Sequence, residues 1–315
     1  MTDTQAIGID VGGTKTASAR VRSDGTVLAY DARPTPANDM EATLATMVAG
    51  ARAVLSSDVT SVGVAAAGLV ERTTGVLRFA PNLAWRDAPL VSHLHEALGL
   101  PVVADNDNTA AAWGEFLFGA GRGYRDMLLV GVGTGIGGGI VADGRLLRGA
   151  HGFAAEIGHI LMDPAGPMCG CGNRGCWEQM ASGQAVTRAG RAAVEEGARS
   201  LLTDRAEGDP DLVNGAMVTA AAIEGDPVAV AILAEVGRWL GVGIGGLVNV
   251  LDPEIVVVAG GVAAAGDLVL EPARAAFRVT VEAADHRPAV PLVPAKLGDH
   301  TGVVGAAALV LEAPG

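Results

Sequence analysis

Cysteine is scarce in this 315-residue chain, and so are aromatic and basic residues. The 3 cysteines, Cys169, Cys171 and Cys176, all fall in the string CGCGNRGC, and the rest of the chain has no thiol. Scattered buried thiols would rarely land so close together, so the cluster is a signal in itself. Aromatics make up 3%, and alanine, valine and glycine dominate, a composition suited to helices packed closely on sheet. Only 22 Lys and Arg stand against 35 Asp and Glu, a net charge of −13 that opposes binding to nucleic acid or an anionic membrane. The longest uncharged run, Met127–Ala142, is glycine-rich and shorter than the roughly 18 apolar residues of a spanning helix, so no membrane association is expected. MTDTQ passes straight into Ala6-Ile7-Gly8-Ile9-Asp10 with no basic segment followed by an apolar stretch, so a cytoplasmic protein is expected.

At about 150 residues per domain the length suggests two. The pattern reads as strands at Ala6–Val11, Ala17–Val21 and Val27–Ala32, with Asp24-Gly25 as a turn. A helix at Met40–Leu55, a strand at Val59–Ala67, a helix at Leu90–Leu98, a strand at Val102–Ala104 and a helix at Thr109–Phe118 follow. Strands alternating with helices imply an α/β fold with a largely parallel, covered sheet. A second meander starts at Met127–Val132, crosses Gly133–Gly139 and returns through Ile140–Ala142, repeating the strand–glycine loop–strand unit at Asp10. Such a duplication suits two similar lobes that face each other across a nucleotide. Helices are then expected at Gln184–Glu196, Val218–Glu224, Val228–Leu251, Leu268–Phe277 and Val303–Leu311, with a strand at Ile255–Ala259. The expected division is 1–119 with a returning closing helix (303–315) as the small lobe, and 120–302 as the large lobe.

Three thiols and His159, ten residues upstream of the first, form the ligand set of a closed tetrahedral zinc site; with four protein ligands the metal would be structural. Asp10-Val11-Gly12-Gly13-Thr14-Lys15 joins two strands; its glycines let backbone N–H groups approach an anion, and the strand-end carboxylate can hold Mg²⁺ through water. A plain hairpin with glycines at positive φ fits the same residues. Gly133, Thr134, Gly135 and Gly137 belong to the second glycine loop, and paired loops can clamp a triphosphate from both sides. Gly260-Gly261 ends the strand at 255–259, where flat backbone would suit an adenine or ribose, or a tight turn. Asp105-Asn106-Asp107-Asn108 lies between strand and helix, as helix cap or as a hydroxyl-binding cluster. Glu156 and His159 sit one helical turn apart, and zinc on one imidazole nitrogen would leave the other for a substrate hydroxyl.

These strings, Asp10–Lys15, Asn106-Asp107, Gly133–Gly139, Glu156-Ile-Gly-His159 and Cys169–Glu178, together resemble the ROK (repressor, open reading frame, kinase) family across nearly the whole chain. Within it they look like the ATP-dependent glucokinases of actinobacteria, to which Pro81-Asn82-Leu83-Ala84-Trp85-Arg86 is also similar. The resemblance implies an actin-like, hexokinase-type fold with two lobes and a ligand cleft, and ATP-dependent conversion of glucose to glucose 6-phosphate. It implies Asp107 as catalytic base; Gly68, Asn82, Asn106, Glu156, His159 and Glu178 on the sugar; His159, Cys169, Cys171 and Cys176 on zinc; and Mg²⁺ with ATP at the glycine loops. A homodimer or homotetramer is expected. A family repressor would carry a helix-turn-helix domain ahead of Asp10, so a repressor is not the expectation here. The chain departs from the family pattern at Asn108, Thr109 and the Ala65-Ala66-Ala67-Gly68 loop.

Overall fold

The structure, a computed structural model, describes residues 4–80 and 85–311. The chain runs β1 (Gln5–Val11), β2 (Lys15–Arg22), β3 (Val27–Pro34), α1 (Met40–Val54), β4 (Val59–Ala66), β5 (Leu69–Val70), β6 (Leu77–Phe79), β7 (Arg86–Ala88), α2 (Leu90–Leu98), β8 (Val102–Asn106) and α3 (Asp107–Phe118). It continues with β9 (Met127–Val132), β10 (Ile136–Ala142), β11 (Arg145–Leu146), α4 (Glu178–Ala181), α5 (Gly183–Glu195), α6 (Leu201–Arg205), α7 (Gly215–Ile223), α8 (Pro227–Leu251), β12 (Ile255–Ala259), α9 (Asp267–Thr280), β13 (Leu292–Pro294) and α10 (Thr301–Ala308). The five-stranded sheets have the orders β3-β2-β1-β4-β8 and β11-β10-β9-β12-β13, and β5-β6-β7 form a small antiparallel sheet.

In the first sheet β1 pairs antiparallel with β2 and parallel with β4, which pairs parallel with β8. The period-two alternation of β1 sends Ile7, Ile9 and Val11 into a core with Leu44, Met47, Val62, Val64, Leu90 and Leu94. Its other face carries Ala6, Gly8 and Asp10, and there Ala6 packs with Val303, Val304 and Ala307 of α10. A Cβ on Gly8 would lie 1.8 Å from the Val303 carbonyl oxygen, and one on Gly63 1.8 Å from that of Ala306. Glycine at these two strand positions therefore lets the α10 backbone rest on the strands.

The chain divides into two compact units: Met1–Leu129 with Gly138–Ala155 and Ala295–Gly315, and Val130–Gly137 with Glu156–Pro294. The first thus takes in 120–129, 138–155 and 295–302, which the sequence reading put with the second. Fully buried Glu115 supplies part of the reason, because its carboxylate accepts from the backbone N–H groups of Ala120, Lys296 and Leu297 at 2.8–3.1 Å. In the second unit α8 has the length and composition of a bilayer-spanning helix, which the sequence reading did not expect. Its packing is that of a core helix: Cβ atoms on Gly237 and Gly241 would strike the Val269 and Ala273 carbonyls of α9, and Gly243 faces the Trp177 ring. The expected loop Gly133–Gly139 is shorter than its glycine run, since β10 begins at buried Ile136 and takes in Gly137, Gly138 and Gly139. A Cβ on Gly139 would come within 2.7 Å of the Asn108 carbonyl, so that glycine serves the packing of α3.

Candidate active site and metal centre

In the first unit the carboxyl ends of β1 and β8 carry the polar residues. Asp10 is the last β1 residue on the α10 face, and a Cβ on Gly302, at the start of α10, would lie 2.2 Å from its Oδ2. Burial, then the neighbouring charge of Asp107, pushes the Asp10 carboxyl up to about 6, with Lys15 pulling the other way. The adjoining turn is closed by Gly12 N–H donating to the Lys15 carbonyl at 3.0 Å. Neither Gly12 nor Gly13 has positive φ, and a Cβ on Gly12 would meet nothing closer than 3.6 Å. The turn geometry therefore does not itself require glycine at position 12.

At the β8–α3 junction the helix cap is Asn106, not an aspartate: its Oδ1 accepts from the N–H groups of Asn108 and Thr109, and its amide donates to the Gly68 carbonyl at 3.1 Å. Gly68, at φ +140°, lies against β6, where a Cβ would be 2.2 Å from the Phe79 carbonyl oxygen. Freed from capping, Asp107 opens α3 and accepts on Oδ1 from the backbone N–H and side-chain amide of Asn108, at 2.9 and 3.0 Å. Burial raises its carboxyl above the ordinary value, and the hydrogen bonds from Asn108 oppose the rise. Asp105, 7% exposed at its side chain, pairs with Arg148 at 2.6 Å and accepts from the Asn106 N–H at 2.9 Å. Arg148 and Gly302 were not read from the sequence; neither lies in a recognisable motif. Asn82 lies outside the described residues.

In the second unit Gly133 and Gly135 close a tight turn through a 3.0 Å backbone hydrogen bond, Thr134 is exposed, and nothing stands within 4 Å of a Cβ built on Gly133. The start of α5 fixes this turn, with Gly183 N–H donating to the Gly133 carbonyl at 2.8 Å and Gln184 N–H to that of Thr134 at 3.2 Å. Gly260, at φ +94°, passes so near Val132 that a Cβ would lie 2.5 Å from its carbonyl oxygen, while Gly261 faces open space. The two glycine sites of this unit are thereby neighbours.

Ligand atoms of His159, Cys169, Cys171 and Cys176 all lie within 4.8 Å of one another. Cys169 Sγ is 3.6 Å from His159 Nδ1, and Cys171 Sγ is 3.6 Å from Cys176 Sγ. A tetrahedron with zinc's usual bond lengths to sulfur and nitrogen has edges of about 3.5–3.8 Å, so the donor set and spacing fit the ion. Nδ1 faces the thiols, whereas Nε2 faces the Glu156 carboxylate at 4.0 Å. Glu178 reaches into the cluster, accepting from Cys169 Sγ at 2.9 Å, and its Oε2 lies where a Cβ on Gly135 would be, 2.4 Å away. Gly175 permits the knuckle, because at φ +63° a Cβ would collide with the Asp163 carbonyl oxygen. Trp177, fully buried, anchors the string to α8 by donating from Nε1 to the Trp239 carbonyl at 2.9 Å.

Glycine turns at strand ends, carboxylates at the neighbouring ends of parallel strands and a knuckle beside one of those turns are the equipment of an actin-like, hexokinase-type phosphotransferase. The chain belongs to the ROK family, whose sequence profile matches residues 6–313. It is 42% identical to the glucokinase of Streptomyces coelicolor over 311 residues, 97% of each chain. The glucokinase of Thermotoga maritima is 34% identical, again over 97% of both chains. A crystal structure of a ROK family glucokinase from Streptomyces griseus, in complex with glucose and AMPPNP, superposes with a TM-score of 0.86 at 41% identity, covering 97% of this chain and 98% of that one.

Proposed function

We propose that this chain is a glucokinase that transfers the terminal phosphoryl group of ATP to the 6-hydroxyl of glucose, with Asp107 as the general base. The observation that carries the assignment is the pair of carboxylates, Asp10 and Asp107, at the carboxyl ends of strands on either side of β4, each raised in basicity by burial. Phosphoryl transfer needs positioning and charge neutralisation more than covalent help. Asp107 takes the hydroxyl proton as the oxygen attacks phosphorus, and a carboxylate of raised pKa is better suited to do so near neutrality than an ordinary one. Asn106 orients the sugar from the cap position. Glu156, His159 through Nε2, and Glu178 offer further partners for sugar hydroxyls.

Asp10 would hold Mg²⁺ through water, and the backbone N–H groups of Gly12, Gly13, Thr14, Gly133, Thr134 and Gly135 would receive phosphates, with Lys15 adding positive charge. Bound Mg²⁺ supplies charge neutralisation at the phosphates. Gly261, open above Gly260, suits the nucleoside. His159, Cys169, Cys171 and Cys176 would hold one zinc ion, whose chemistry with four protein ligands is structural. Glucose as acceptor is supported by the named relatives, a cytoplasmic location by the free thiols, and a homodimer or homotetramer by the family resemblance.

Coupled assays with ATP or polyphosphate as donor, and with glucose, mannose, fructose and N-acetylmannosamine as acceptors, test the reading; ATP and glucose should give the highest kcat/KM. In Asp107→Asn, glucose binding by calorimetry should stay within a few-fold while turnover falls by about 10²–10⁴. Turnover comparable to the parent would remove Asp107 from the role of base.

A further inference from the structure

We propose that Asn108 is a positioning residue for the catalytic base, its side-chain amide fixing Asp107 Oδ1 so that Oδ2 receives the substrate proton. The inference rests on the assignment of Asp107 above. Asn108 donates twice to one oxygen, from its backbone N–H at 2.9 Å and from Nδ2 at 3.0 Å. The amide orientation is set by chemistry, since a carboxylate oxygen accepts and only the NH₂ end can donate. Any residue at 108 would supply the backbone bond. Only a side chain of this reach supplies the second.

Two donors on Oδ1 have two consequences. They hold the carboxylate plane, so that the proton acceptor faces one direction and less orientation is lost on reaching the transition state. They also stabilise the charged form, opposing the burial that raises the group. The charged groups around Asp107 do not substitute for this. Asp10 on β1 repels it, Lys15 at the start of β2 acts on Asp10, and the Asp105 carboxylate on β8 is engaged by Arg148. The side-chain amide of Asn108 is thus a neutral device for keeping a base ionised in an acidic, desolvated setting.

The test compares parent, Asn108→Ala, Asn108→Leu and Asn108→Asp in pH profiles of kcat and kcat/KM for glucose at saturating Mg²⁺ and ATP. Position 108 is the second residue of α3, where alanine and leucine are good helix formers, and Asn106 remains to cap the helix. For Ala and Leu the acid limb should move up by about one pH unit, the equivalent of a charge-assisted hydrogen bond of about 1.4 kcal/mol. Activity should fall about tenfold at pH values below the limb and much less on the alkaline plateau, with glucose KM within about twofold. Asn108→Asp, which replaces the donor with a second charge, should move the limb further. A profile superimposable on the parent's in both neutral variants, or a limb that moves down, overturns the proposal. Asp107→Asn separates this outcome from failure of the base assignment: if it is inactive while the Asn108 profiles coincide with the parent's, only the positioning role falls.

Discussion

Gly302→Ala should impair ATP use from a position in no phosphate loop. The added methyl would sit 2.2 Å from Asp10 Oδ2, more than an ångström inside ordinary contact, which begins at 3.4 Å, and 2.5 Å from its Cγ. Three adjustments could relieve it. The Asp10 backbone cannot shift freely, because β1 is hydrogen-bonded to β2 on one side and β4 on the other. Helix α10 can recoil only by leaving its seat on Gly8 and Gly63. The carboxylate is the soft element, so it rotates away from the position in which it would face Mg²⁺. Overpacking of this kind costs about 1–3 kcal/mol, and a misplaced charge of that order corresponds to roughly a tenfold or greater rise in KM for MgATP or loss of kcat. Steady-state kinetics over ATP and free Mg²⁺, with glucose saturating, would measure it, and glucose KM should change less than about twofold. The same substitution in an Asp10→Ala background should add little, since the group it displaces is gone. Parental ATP and Mg²⁺ parameters in folded Gly302→Ala, or fully additive effects in the double variant, would refute the reasoning.

The Asp10 carboxyl also ties stability to pH. Its folded value of about 6 lies above the ordinary 3.8, so between these values the folded state binds more protons, and this group's contribution to stability is present at pH 4 and lost as pH rises through 6. The full loss is about 3 kcal/mol. Urea unfolding of parent and Asp10→Asn without Mg²⁺ should therefore show the variant gaining on the parent from pH 4 to pH 7; a constant difference would contradict the shift. The parent should carry one zinc ion per chain and Cys171→Ser should lose it, together with glucose affinity and melting temperature, because metal-binding free energy is folding free energy for the segment the metal organises. Elemental analysis with glucose calorimetry decides it, and full affinity in a zinc-free variant would break the link between the metal and His159.

The parts of the fold legible in the sequence are those where a local pattern meets a local rule. Alternation in β1, the apolar run of β4, apolar spacing in α1 and α5, and the turn at Asp24-Gly25 need no knowledge of the rest of the chain. The site strings were legible for a related reason: glycine pairs, clustered thiols and short polar runs at strand ends are unusual compositions. Their division of labour was not. Whether Asn106 or an aspartate caps α3 depends on which side chain turns back to the N–H groups of 108 and 109, and the string reads equally well either way. Where the run Gly133–Gly139 stops being loop depends on α3 pressing on Gly139. Arg148 reaches Asp105 from 43 residues away, and Gly302 meets Asp10 only because α10 returns across the first sheet.

Strings that look separate in sequence share one scaffold in the second unit. The turn at Gly133–Gly135 is held from one side by the first N–H groups of α5, and on another the Glu178 carboxylate, which also contacts Cys169 in the knuckle, lies against Gly135. The residues from Cys169 to Gln184 therefore link the thiol cluster to the Gly133–Gly135 turn. A metal that stiffened the knuckle at Cys169 and Cys176 would restrict Glu178, and through it the space beside Gly135, on whose turn the proposed phosphate contacts depend. An ion with no open coordination position can in this way contribute to phosphoryl transfer without touching either substrate, by limiting the conformations of the backbone that receives the charge.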